Sequence, residues 1–284
     1  MHKILLPLII MAMLPLGCSK EDSDSDSHAT GGRVSRPDSI EVTVITGDSL
    51  TQKAWFIPTD SRGHKEPLIV TLPMLNKTHE SFAKFVDEVR AYVATSEADP
   101  DRVMPNFLNL DLRGHGQSTL LAGQPISFMS MGDENFVKIP QDVDAMIRKV
   151  LTDYAEVIDS SYIVVVGASI GANGALMVTE MMPEIRKVVA LSPGRNYRGM
   201  QPLEAFKAYG GEVLFVACQG DEYSLESTRE LVTSKDDGWF LKLYFGSDHG
   251  TRIINNNGIA MSTVIKWIYG DGIIESDPPP EPAG

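Results

Sequence analysis

Six short, mostly apolar runs recur along the chain, and they limit the fold more than any other feature. They are Leu68 to Leu72, Phe107 to Leu110, Tyr162 to Val166, Val188 to Leu191, Val213 to Ala217 and Leu241 to Phe245. A strand with water on one face alternates apolar and polar residues, whereas an unbroken apolar strand must be covered on both faces. The segments Ser81 to Ala94, Gln141 to Tyr154, Ala172 to Met182, Ser224 to Thr233 and Gly258 to Tyr269 carry apolar residues at helical spacing. Strand and helix in turn predict an α/β fold, with a mostly parallel sheet and helices on both faces. Ile40 to Ile45 and Lys53 to Pro58 do alternate, around the turn residues Gly47, Asp48 and Ser49, and predict an antiparallel pair at the sheet edge. That makes eight strands in one domain over residues 39–270. The 284 residues, 43% of them hydrophobic, suffice for one such core. The end, residues 271–284, contains Pro278, Pro279, Pro280 and Pro282, cannot continue a helix, and reads as a loose, disordered tail.

The first residues read differently. Lys3 precedes an apolar stretch from Ile4 to Leu16 that is broken by Pro7 and Pro15. A membrane-spanning helix needs about 20 apolar residues, so residues 1–17 read as a signal peptide rather than a span. The stretch Leu14-Pro15-Leu16-Gly17-Cys18 resembles a bacterial lipoprotein signal. The resemblance implies that Cys18 is lipidated on its thiol, becomes the new amino terminus and anchors the protein to a membrane of the cell envelope. Behind it, Ser19 to Asp26 is acidic and without an apolar residue, so residues 18–38 read as a disordered tether. An acidic run at this place also resembles the surface-export signal of Bacteroidetes lipoproteins, which implies exposure at the cell surface; a plain solvated spacer is the other reading. With Cys18 lipidated, Cys218 has no disulfide partner, and its apolar surroundings place it in the core. The net charge of −13 disfavours nucleic acid as a partner, since phosphate contacts need basic patches.

The chemistry-bearing segment is Ile163-Val164-Val165-Val166-Gly167-Ala168-Ser169-Ile170-Gly171-Ala172, an apolar strand that runs through Gly-x-Ser-x-Gly into a helix. This is the context of a nucleophile elbow, where a sharp turn exposes the serine at the end of a strand. Ser169 is the candidate nucleophile; the bland reading is a turn serine. In this architecture the partners follow in the order Ser, Asp or Glu, His. Asp221 stands in Gln219-Gly220-Asp221-Glu222 after one apolar run, and His249 in Gly246-Ser247-Asp248-His249-Gly250-Thr251 after the next. His249 would take the proton of Ser169 while Asp221 fixes the imidazole tautomer. Glu222 is an alternative acid, and Asp248 is disfavoured because consecutive side chains rarely converge.

Together with Leu110-Asp111-Leu112-Arg113-Gly114-His115-Gly116-Gln117-Ser118, these residues resemble the α/β-hydrolase superfamily, over about Ser39 to Tyr269. The resemblance implies that the Asp-x-Arg-Gly-His-Gly-x-Ser loop after the fourth strand is structural, so that His115 is not a base. It also implies an oxyanion donor in the loop after the third strand, Leu72 to Ser81. Most relatives have His-Gly there and this chain has Pro73-Met74, which leaves the N–H of Leu75 as the candidate and that of Met74 as the alternative. The second donor is the N–H of Ile170, directly after the nucleophile. His79, behind a candidate N-cap at Thr78, reads as structural. Between Leu191 and Val213 only a short loop is expected, without a large lid. There is no His-Glu-x-x-His pair, and Gly167-Ala168-Ser169 lacks the middle glycine of a dinucleotide loop, so neither metal nor cofactor is expected. The resemblance and the triad point to hydrolysis of a small-molecule carboxylic ester through an acyl-enzyme. Peptidase, amidase or acyltransferase chemistry on the same triad is the nearest alternative, and a non-catalytic surface binding protein on this fold is the other.

Overall fold

The computed structural model describes residues 39–60, 63–95, 102–271 and 274–280. The signal peptide, the lipidation site Cys18 and the acidic tether all lie outside them. Among the described residues ten strands form one sheet: β1 (Ile40–Ile45), β2 (Leu50–Ile57), β3 (Glu66–Leu72), β4 (Asn106–Leu110), β5 (Leu120–Leu121), β6 (Gln124–Pro125), β7 (Ile158–Ala168), β8 (Ile185–Leu191), β9 (Glu212–Cys218) and β10 (Trp239–Tyr244). The helices are α1 (Ala83–Ala94), α2 (Asp133–Phe136), α3 (Ile139–Asp153), α4 (Ile170–Met177), α5 (Leu203–Ala208), α6 (Glu222–Thr233), α7 (Thr251–Asn256) and α8 (Gly258–Tyr269).

The order across the sheet is β10-β9-β8-β7-β3-β4-β2-β5-β6, with β1 paired to β2. From β10 to β4 every pairing is parallel, and β2 turns antiparallel to β4. The eight expected strands are all present. The two additional ones, β5 and β6, are two residues each and too short for any hydropathy pattern to reveal.

Successive side chains on a strand point to opposite faces, which explains why the central runs are continuous rather than alternating. On β7, Ile163 and Val165 enter one apolar layer with Val143, Met146 and Ile147 of α3 and Leu176 of α4. Val164 and Val166 enter the other, with Phe85 and Val89 of α1 and Val264 and Ile265 of α8. Cys218 is buried in this second layer, as its apolar neighbours suggested.

The tail departs from the expectation of a loose end. Asp277 and Ser276 lie along β10, where the Leu241 N–H donates to Ser276 Oγ (3.0 Å), the Leu243 N–H to Asp277 Oδ2 (2.7 Å), and the Asp277 N–H to the Leu241 carbonyl (2.8 Å). An edge strand presents unpaired backbone groups, and here the tail takes them up. Helix α8 ends at Gly270 in the left-handed conformation that commonly closes a helix.

The Asp-x-Arg-Gly-His-Gly-x-Ser loop pins the antiparallel edge to the helices. Arg113 is fully buried; its Nε and Nη2 donate to Asp142 on α3 (2.9 and 2.7 Å), and Nη1 and Nη2 to Asp48 in the β1–β2 turn (2.8 and 3.1 Å). The guanidinium beside it holds the Asp48 carboxyl far below the usual carboxylate range. Burial pushes Asp142 up to about 6 even with Arg113 in place. Arg113→Met should therefore strand a buried carboxylate and cost about 3–5 kcal/mol at neutral pH. In the variant the folded state binds the Asp142 proton more tightly than the unfolded chain does. The loss should thus be smallest near pH 4, grow as pH rises through the folded-state value, and level off above it. Urea unfolding of parent and variant between pH 4 and 8 measures this, and a loss independent of pH would reject Asp142 as its source.

Candidate active site

The turn between β7 and α4 holds Ser169 at φ 54° and ψ −120°, a conformation that side-chain-bearing residues rarely adopt. Its neighbours must be small for a measurable reason. A Cβ on Gly171 would stand 2.3 Å from the Leu72 carbonyl oxygen, and one on Gly167 would stand 2.2 Å from the Gly171 carbonyl oxygen. The glycines thus let the start of α4 close onto the end of β3. The Ser169 N–H donates to the Leu191 carbonyl of β8 (2.8 Å), fixing the turn against the next strand.

Asp221 occupies the N-cap position of α6, yet its side chain does not cap the helix. It turns instead to His249, with Oδ2 2.7 Å from Nδ1. The two loops are tied by the Gly220 N–H, which donates to the Gly246 carbonyl (2.8 Å). Burial raises the Asp221 carboxyl, but hydrogen bonds from His249, Ser224 and Ser192 outweigh it and leave the group below its ordinary value. The competing acids stand elsewhere: Glu222 is exposed in the first turn of α6, and Asp248 accepts from Asn256 Nδ2 (3.1 Å).

Ser169 and His249 sit on neighbouring loops, since a Cβ on Gly250 would lie 3.4 Å from that of Ala168. Among the described residues they form no hydrogen bond with each other. The Tyr197 phenol, which is close enough to the serine for the two to interact, has its own hydrogen bond with Ser224 Oγ (3.0 Å).

Pro73-Met74, in place of His-Gly, has a role the sequence did not disclose. The Met74 sulfur lies under the histidine loop, where a Cβ on Gly250 would meet it at 2.8 Å, and it accepts from Thr251 Oγ1 (3.6 Å). The chain then turns over Leu75 and Asn76, with Asn76 at φ 61° and the Lys77 N–H donating to the Met74 carbonyl (3.1 Å). Leu75 is exposed on this turn, and Ile170 opens α4, where a first-turn N–H has no partner within its helix.

Both remaining histidines of interest are structural. His79 stacks on Trp55 (3.5 Å between ring centroids), and its Nδ1 lies 2.9 Å from Asp111 Oδ1. The Thr78 side chain makes no cap; Asp111 Oδ1 accepts the His79 N–H instead (2.8 Å). His115 is buried against Phe128 with Nδ1 2.9 Å from the Arg113 carbonyl, and burial lowers its pKa.

Three hydroxyl residues of the site escaped the sequence reading: Ser192, Tyr197 and Ser224. Tyr197 lies on the segment expected to be a mere loop between Leu191 and Val213, which in fact carries α5 and a bridge between Tyr197 and Met200. Asn173 of α4 fixes this segment, with Nδ2 donating to the Gly194 and Met200 carbonyls (2.7 and 2.9 Å) and Oδ1 accepting the Gly194 N–H (2.9 Å). A lone amide in the otherwise apolar helix Ile170–Met177 was the available signal, because a buried amide needs partners.

No family model matches the sequence, and no curated protein does. Solved structures do. The esterase Pf2001 of Pyrococcus furiosus is similar over 82% of this chain and 92% of its own, with a TM-score of 0.62 and 17% identity. A 2,6-dihydroxy-pseudo-oxynicotine hydrolase matches over 86% of this chain and 71% of its own (TM-score 0.64, 12% identity). The dienelactone hydrolase of Anabaena variabilis matches over 82% and 95% (TM-score 0.56, 13% identity). The chain therefore has the α/β-hydrolase fold, and these neighbours are named esterases and hydrolases.

Proposed function

We propose that the protein is a serine hydrolase that cleaves a small-molecule carboxylic ester through an acyl-enzyme on Ser169, with His249 as base and Asp221 as orienting acid. The observation that carries this reading is the 2.7 Å contact of Asp221 Oδ2 with His249 Nδ1, beside a serine held on a strained elbow. With Nδ1–H given to Asp221, Nε2 is left as the acceptor, as a general base requires. Rotation of the Ser169 side chain towards it lets Nε2 take the hydroxyl proton as Oγ attacks the carbonyl carbon. The tetrahedral oxyanion is assigned to the N–H groups of Leu75 and Ile170. The imidazolium returns its proton to the leaving alcohol, and water repeats the sequence in reverse to release the acid. The likeness to named esterases favours ester over amide substrates. Lipid anchoring through Cys18 to the cell envelope is proposed on the sequence alone.

The test is reaction of the purified protein with a fluorophosphonate, which should attach at Ser169, beside a chain-length series of p-nitrophenyl esters and matched anilides. Hydrolysis of the anilides at rates equal to those of the esters moves the reading to an amidase. Absence of both labelling and turnover leaves the non-catalytic binding protein.

The Leu75 assignment has its own check. Leu75→Ala keeps the backbone N–H and should retain most activity. Leu75→Pro removes it and should slow acylation by about 10²–10³. Met74→Pro deletes the neighbouring N–H with similar disturbance of the turn. Equal losses from the two prolines would withdraw position 75 as the donor.

A further inference from the structure

The elements around His249 bring two further hydroxyls to the Asp221–His249 pair. Ser224, fully buried in the first turn of α6, places Oγ 3.4 Å from His249 Nδ1 and 3.0 Å from the Tyr197 phenol oxygen. The Tyr197 ring meets the imidazole edge to face, with centroids 6.3 Å apart. Its place is built in: a Cβ on Gly194 would collide with the Tyr197 ring at 2.5 Å, and Asn173 clamps the segment on both sides of it. A chain of hydroxyls thus runs from Tyr197 through Ser224 to the Asp221–His249 pair.

Hydrogen inventory fixes its direction. Nδ1 carries one proton and gives it to Asp221 at 2.7 Å, so Ser224 cannot donate to that nitrogen. The Ser224 O–H is therefore free to donate to the Asp221 carboxylate while its oxygen accepts from Tyr197. The phenol is suited to this, since burial pushes its pKa up to about 12 and it stays a donor across the working range.

We propose that Tyr197 and Ser224 are positioning residues: a hydroxyl relay, Tyr197 to Ser224 to Asp221, that sets how strongly Asp221 holds the His249 imidazolium. The inference rests on the triad reading above. Each donor to a carboxylate shares its charge, and a carboxylate so shared attracts a neighbouring imidazolium less. Removing either donor should therefore tighten the hold of Asp221 on the imidazolium. The other charged or titratable groups on the elements around the pair are Cys218 at the end of β9, Glu222 and Tyr223 at the start of α6, and Asp248 with Arg252 on the histidine's own segment. None of them is altered in the variants below.

The experiment follows Tyr197→Phe, Ser224→Ala and the double variant in the full-length protein, by the pH profile of kcat/KM on p-nitrophenyl acetate and by NMR titration of the His249 imidazole. Both single variants are near-isosteric, and thermal unfolding checks that they fold. Each should raise the imidazole pKa, and with it the acid limb of the profile, by about half a unit or more. Because the two hydroxyls act in series, the double variant should shift no further than Ser224→Ala alone. A limb and a titration unmoved in Tyr197→Phe overturn the relay, and so do shifts that add in the double variant. Should Ser224→Ala fail to fold, Tyr197→Phe decides alone. The titration needs no turnover, so a protein that hydrolyses no ester but shows the shifts would overturn the proposed reaction and leave the relay standing.

Discussion

Ser169→Ala is expected to lower kcat on any accepted ester by about 10⁶-fold and to abolish fluorophosphonate labelling, while leaving the fold intact. Alanine offers no nucleophile. The residue left behind keeps its Cβ at φ 54°, so the strain of the turn persists and stability should scarcely change. That invites a paired variant. Ser169→Gly relieves a backbone conformation that costs about 1–3 kcal/mol for a residue with a Cβ. The flexibility of glycine in the unfolded chain offsets part of the gain. The glycine variant should therefore melt no lower than the alanine variant while being equally inactive. Thermal unfolding and turnover on one set of samples measure both effects. Retention of activity in either variant, with folding unchanged, would show that another group is the nucleophile.

Most of the sheet was legible because its central strands are covered on both faces, and an unbroken apolar run has few other uses. Ser169, Asp221 and His249 were legible for a related reason: each stands just beyond such a run, where a strand ends and a loop begins. What stayed hidden depends on contacts between distant parts of the chain. The prolines from Pro278 onward were good grounds for ending a helix, but the unpaired N–H groups of Leu241 and Leu243 that Ser276 and Asp277 satisfy belong to an edge visible only in the assembled sheet. A serine in the first turn of a helix, such as Ser224, looks like any other polar residue there until α6 is set against the histidine loop. Met74 looked like a defect in a familiar loop, and its function lies in a sulfur that packs beneath Gly250, far away in sequence. The short helices α5 and α7, six residues each, are below the length at which helical periodicity separates from chance.

Asp221→Asn is expected to cut kcat by about 10⁴-fold with little change in stability. The size of the effect comes from the tautomer. An amide at this place can turn its NH₂ towards His249 Nδ1 and force the imidazole proton onto Nε2, the atom that must accept from Ser169. The buried Ser192 and Ser224 hydroxyls, which help to hold the Asp221 carboxyl below its ordinary value, would serve an amide oxygen equally well and so hold the amide in the unproductive orientation. Stability should survive because the Asp221 side chain makes no cap on α6, so the helix loses nothing that it had. Glu222→Gln and Asp248→Asn are the controls. Glu222 points to solvent from the first turn of α6 and Asp248 is engaged with Asn256, so both variants should keep turnover within a few-fold of the parent. Steady-state kinetics and thermal unfolding on the three variants separate the roles. A folded Asp221→Asn with parental kcat, alongside a large loss in Glu222→Gln, would transfer the acid to Glu222 and require the loop after β9 to rearrange in the working enzyme.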